Sequence, residues 1–179
     1  MKLLMAIITS IIFAFALLSC AFYLATKNSI FFILSVTFFT IFYHFAMRFI
    51  VGFIVNTIMH NKADYNKRWF RTSRKELDIY KKLKVKKWKN RVPSLDSSRF
   101  DITKHTWHSV VQAMCQAEIV HEVNMILSFV PLLFTIFAGH FLFFLITSFI
   151  ASLFDYVFVI VQRYNRNRII HSVTFENDK

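Results

Sequence analysis

The stretch LLMAIITSIIFAFALLSCAFYLA, residues 3–25, decides the fold. It carries no charged side chain, and a helix of this length crosses the hydrocarbon core, for which about 20 residues are needed. A secretory signal is the rival reading, because Leu17-Leu18-Ser19-Cys20 has the look of a lipoprotein cleavage site. Cys20 is followed at once by the apolar Ala21 to Ala25, however, where a processed protein would begin with polar residues. The expectation is a first membrane span over 3–25.

Working outward, a short connector at 26–29 leads to a second apolar stretch, 30–58, interrupted by His44, Arg48 and Asn56. It exceeds a minimal span, so tilt or an interfacial end is expected. A third helix begins near 103–108, amphipathic at first and membrane-embedded over 119–138. Gly139-His140 is the one turn-like break before the fourth span, 141–161, which contains Asp155. Composition agrees: the 179 residues are 56% hydrophobic with 23 Phe, yet hold only 2 Gly and 2 Pro, too few turn residues for a soluble domain of this size. The expected fold class is all-α, one integral membrane domain over 1–179 with about four transmembrane helices and a basic amphipathic interfacial segment.

That segment, 60–109, holds 15 of the 22 Lys and Arg against five acids. A formal charge of +12 invites a nucleic-acid reading, but the cations are bracketed by apolar runs, which points to lipid headgroups and to no nucleic acid. The positive-inside rule puts the segment in the cytoplasm, and Arg163, Arg166 and Arg168 after the last span put the C-terminus there too. Four crossings then make the N-terminus cytoplasmic, in a multi-pass cell-membrane protein. Trp69, Phe70, Leu77, Tyr80, Leu83, Val85 and Trp88 alternate with the cations as in a helix lying at headgroup depth, ended by Pro93-Ser94. Cys20 and Cys115 sit in unlike contexts, so neither a disulfide nor a metal site is expected.

A charge at membrane depth costs roughly 2.5 to 3.5 kcal/mol, so those that remain face a bundle interior, pair, or serve a site. His44 and Arg48 share a face of the second helix. They read either as an internal pair with Asp155 as counter-charge or as an anchor for an anionic headgroup. Glu118, His121 and Glu122 share a surface of the third, where a carboxylate beside an imidazole is the minimal kit for a general base. Solvated interfacial groups are the alternative. Met125 stands where a zinc protease would have its second His, so no metal is expected. Gln162, Arg163, Tyr164, Asn165 and Arg166 follow the fourth span, and their donors suit a phosphate or a developing oxyanion. A His-x4-Asp pair, a nucleophile elbow and a phosphate loop are all missing.

The block Ala117-Glu118-Ile119-Val120-His121, then Pro131, then Val161-Gln162-Arg163-Tyr164-Asn165-Arg166-x-Arg168 resembles the glycosyl-4,4'-diaponeurosporenoate acyltransferase family, small membrane enzymes of staphyloxanthin-type carotenoid biosynthesis and their relatives. The likeness reaches back through Lys87-Trp88-Lys89 and Trp69. It implies transfer of a fatty acyl group from a thioester donor, acyl-coenzyme A or acyl carrier protein, to a sugar hydroxyl of a lipid-linked acceptor at the cytoplasmic face, with no further cofactor. It also implies that Trp88, Lys89, Glu118, His121 and Gln162 to Arg166 belong to the site. Glu122 in place of an aromatic residue, Gln116 in place of a basic one and Asn167 in place of Pro are departures, which leave another glycolipid or lipid alcohol open as acceptor. In this reading His121, oriented by Glu118, activates the hydroxyl, and Arg163, Asn165 and Arg166 hold the donor phosphate or the oxyanion. A lipid-directed methyltransferase or reductase, and a non-catalytic membrane partner, are the rival classes.

Overall fold

The computed structural model describes residues 2–92 and 97–177, and among these there is no strand. The expected stop at Pro93-Ser94 lies outside the described residues. Four helical stretches are long and apolar enough to cross a membrane: Leu3–Thr26, Ser29–Met59, Trp107–Ala138 and Phe141–Val173. Large apolar side chains stay exposed along them, Phe53 at 73% and Phe137 at 87%, which suits hydrocarbon and not water. The chain forms two compact units, Met1–Val51 with Asn124–Leu153 and Gly52–Val123 with Phe154–Lys179.

In the first unit, α1 (Lys2–Thr26) and the start of α2 (Ser29–Met59) form an antiparallel hairpin. Lys27 turns the chain in the left-handed region, and the Asn28 side chain caps α2 by accepting the Ile30 N–H at 2.9 Å. Ring pairs Phe13–Phe42, Phe15–Phe38 and Phe22–Phe31, with centroids 4.6, 5.5 and 5.2 Å apart, hold the two helices in register.

The third span is not one continuous helix. α5 (Trp107–Leu127) stops, a 3-10 turn covers Val130–Phe134, and the short α6 (Thr135–Ala138) follows. Pro131 is the reason. The Leu127 carbonyl would accept from the N–H of residue 131, and proline has none. The Tyr43 hydroxyl donates to that carbonyl instead, at 2.8 Å, so the Leu127 carbonyl is not left orphaned in the apolar phase.

In the second unit, α2 ends in two left-handed residues, His60 and Asn61. Gln116 clasps this end: its Oε1 accepts the Asn61 N–H at 2.8 Å and its Nε2 donates to Asn56 at 3.1 Å. The basic segment folds into short pieces, a 3-10 turn at Arg68–Phe70, α3 (Arg74–Lys82) and α4 (Val85–Trp88), separated by the left-handed Lys84. A capping box starts α3, with Ser73 and Glu76 each bonding the other's backbone N–H. The apolar residues of this segment divide. Tyr80 and Val85 are buried against Ile160 with Leu77, Trp88 and Tyr164 around them, whereas Trp69, Ile79 and Leu83 stay exposed. Trp88 is thus a packing residue, its Nε1 donating to the Leu83 carbonyl at 3.0 Å, and only Trp69 keeps the outward ring expected of both. α7 (Phe141–Asn177) runs well beyond the expected end at 161, so Gln162 to Arg166 stand on a helix.

Candidate active site

α5 and α7 carry the groups that matter, all in the second unit. Glu118 is fully buried, and both of its oxygens are taken by arginines of α7. Arg163 Nε donates to Oε1 at 2.7 Å, and Arg166 NH1 donates to Oε2. All three nitrogens of Arg163 are engaged: NH1 reaches Glu76 at 2.6 Å, and NH2 reaches Glu122 at 3.2 Å and the Trp69 carbonyl at 3.3 Å. Arg166, 1% exposed, also donates to the Phe70 carbonyl and stacks over the Phe70 ring. Arg163 and Arg166, expected to hold a phosphate or oxyanion, here bond protein carboxylates and form a carboxylate clamp. Removing one partner of such a buried pair costs about 3 to 5 kcal/mol, since the other is left charged in a dry place.

His121 lies one turn along α5 from Glu118, but Glu118 does not orient it. Its Nδ1 stands 2.8 Å from Asp155 Oδ1 on α7, and its ring stacks on Phe158 with centroids 4.6 Å apart and planes 10° apart. Where Asp155 is ionised it only accepts, so a neutral His121 then carries its hydrogen on Nδ1 and its lone pair on Nε2. Among the described residues nothing bonds Nε2, and the side chain keeps 21% of its surface exposed while Asp155 keeps 1%. A fixed tautomer with one open basic nitrogen is what removing a proton from a hydroxyl requires. Asp155 stood out in the sequence as a charge within a span, but its spacing from His121 on another helix gave no sign of their pairing.

The remaining candidates separate. Glu122 accepts from Trp69 Nε1 at 2.8 Å as well as from Arg163, so it belongs to the clamp. Lys89 donates to Asn165 Oδ1 at 2.7 Å and lies over the Tyr164 ring, which meets Tyr80 edge-on. Burial and then the charge of Arg168 hold the Lys89 ammonium below its usual range. Gln162 is buried in α7. His44 and Arg48 lie in the first unit, where the Arg48 guanidinium donates to the His44 carbonyl and, at 3.1 Å, to the Ala151 carbonyl. Glu76 is a member the sequence reading missed. Burial raises its pKa, but the Ser73 backbone N–H and the Arg163 guanidinium outweigh that and hold it below the usual carboxylate range. The Ser73-x-x-Glu76 pattern of a capping box was the available signal.

The family described as glycosyl-4,4'-diaponeurosporenoate acyltransferase matches residues 61–174, which include every member of the carboxylate clamp and the His121–Asp155 pair. Neither the curated proteins nor the solved structures gave a match. Family, fold and membrane spans agree, and this chain belongs to the glycosyl-4,4'-diaponeurosporenoate acyltransferase family, enzymes that acylate a glycosyl carotenoid.

Proposed function

We propose that this enzyme moves a fatty acyl group from a thioester donor, acyl-coenzyme A or acyl carrier protein, to a sugar hydroxyl of a glycosylated carotenoid or related glycolipid. In this reading the reaction runs at the cytoplasmic face of the cell membrane, with both termini cytoplasmic. The 15 cations of the 60–109 segment and the arginines of α7 support that orientation.

The observation that carries the chemistry is the 2.8 Å contact of His121 with Asp155, which leaves Nε2 open. Nε2 takes the proton of the acceptor hydroxyl, and the oxygen attacks the thioester carbonyl. The tetrahedral intermediate then collapses to the ester, the carbon–sulfur bond breaks, and the leaving thiolate takes the proton back from the imidazolium. Asp155 holds the tautomer and stabilises the imidazolium in between. Glu118, Arg163 and Arg166 fix α5 against α7 and so position His121. Of the candidate site residues, Lys89, with no carboxylate partner among the described residues, can meet an anionic donor carrier.

Replacing His121 with Ala in membranes that express the protein normally should lower acyl transfer by roughly 10² to 10⁴-fold. Undiminished turnover would remove His121 from the mechanism.

A further inference from the structure

A groove of about 440 Å³ opens in the second unit on a flank of α5 that the chemistry above does not use. That volume is within the range of small-ligand sites. Its floor is apolar, made by Met59, Ala63, Phe70 and Ile119, and its rim carries Lys62 and Lys67. Ile119 and Glu122, which both line the groove, stand roughly 200° and 100° round α5 from His121, so the groove opens on a different flank from the dyad.

The charges in the groove are unequal in availability. Glu122 is already bonded by Arg163 and Trp69, while Asp64, exposed, accepts the Asn66 N–H at 3.0 Å with one oxygen and keeps its charge. Lys62 and Lys67 are exposed and form no ion pair among the described residues. The groove therefore presents two uncommitted ammonium groups against one exposed carboxylate, beside an apolar surface.

Its place in the chain says what fits. Met59 is the last residue of the second candidate span and Ile119 lies within the third, so two of the four floor residues belong to the apolar spans, while Ala63 and Phe70 come from the segment after the second. Lys62 and Lys67 come just after the second span, and Trp69, which also lines the groove, is 64% exposed, as in the aromatic belt of a membrane interface. Hydrocarbon on one side and cations on the other match one amphiphile. We infer that this groove binds an anionic phospholipid, its phosphate between Lys62 and Lys67 and the upper part of an acyl chain on Met59, Phe70 and Ile119. The site is independent of the proposed catalytic roles.

Native mass spectrometry of the detergent-solubilised full chain, incubated with phosphatidylglycerol or with phosphatidylcholine, tests it. Wild type should retain phosphatidylglycerol in preference. The double variant Lys62→Gln/Lys67→Gln should bind it roughly tenfold more weakly. Lys75→Gln/Lys82→Gln, which removes two exposed cations of α3, should leave retention unchanged. Equal losses in both double variants would reduce the effect to diffuse basic charge and overturn the site. Equal retention of phosphatidylcholine would overturn it as well. Complete displacement by excess inorganic phosphate would leave a phosphate site without a lipid, and displacement by an acyl-coenzyme A in preference would reassign the groove to the donor. Each of these outcomes rejects the proposal.

Discussion

Two clusters one helical turn apart on α5 use similar residues in opposite ways. Around Glu118, every oxygen of the carboxylate and every donor nitrogen of Arg163 is taken, and the central pair is shut off from solvent. Around His121, the carboxylate is buried but the imidazole is bonded at one nitrogen only. A filled network resists change and therefore holds helices together. A half-filled one retains a group that can accept a proton. The comparison teaches that the presence of a Glu, His or Arg near a membrane interface says little until its hydrogen-bonding capacity has been counted.

The comparison breaks first at Asp155. Asp155→Asn should keep the protein folded but misorient the tautomer, lowering turnover by roughly 10² to 10⁴-fold, with the pH profile of the rate altered as well. A variant as active as wild type, with the same profile, would make the dyad merely structural. Glu118→Gln should do the reverse. It should cost about 3 to 5 kcal/mol of stability, read as reduced folded yield and a lower unfolding temperature, because two arginines lose a buried counter-charge. The fraction that remains folded should retain most of its turnover. Loss of turnover with unchanged stability would put Glu118 in the chemistry after all.

Smaller effects sharpen the contrast at the edge of the clamp. Glu76 has its carboxyl below the usual range in the folded chain, so its contribution is present above the unfolded value of about 4.3 and is lost as pH falls through the folded value. Unfolding temperature should therefore drop on acidification from neutral pH to below that range, and Glu76→Gln should flatten part of the slope. An unchanged slope would show that Arg163 does not hold Glu76. Ser73→Ala removes the other half of the capping box and should cost about 0.5 to 2 kcal/mol, with activity intact.

Much of the scaffold was legible in the amino-acid order. The four apolar stretches and the basic segment between them appear as soon as charge and hydropathy are plotted along the chain, since crossing a bilayer imposes a length and a composition on each segment. The break after Leu127 was harder to see. It depends on Pro131 lacking an N–H, and its consequence is absorbed by Tyr43 from another helix. The full length of α7 was missed because hydropathy falls after Val161 while the helix continues through Gln and Arg, which favour helix, and past Asn165 and Asn167, which favour it less.

The candidate residues themselves were visible: His121, Glu118 and the arginines of α7 stood out as polar groups in or beside apolar runs, and the family resemblance rested on their spacing. Their pairing was not. Spacing along one helix brings Glu118 and His121 to neighbouring positions, which favours that pair on sequence grounds. The tertiary structure assigns Glu118 to Arg163 and Arg166 and gives His121 to Asp155. The physical reason is that order along the chain sets helix periodicity and polarity, whereas partners across helices depend on axial register and rotation. Those are settled by packing such as Ile160 against Tyr80 and Val85, and by which neighbour satisfies the most hydrogen-bonding groups.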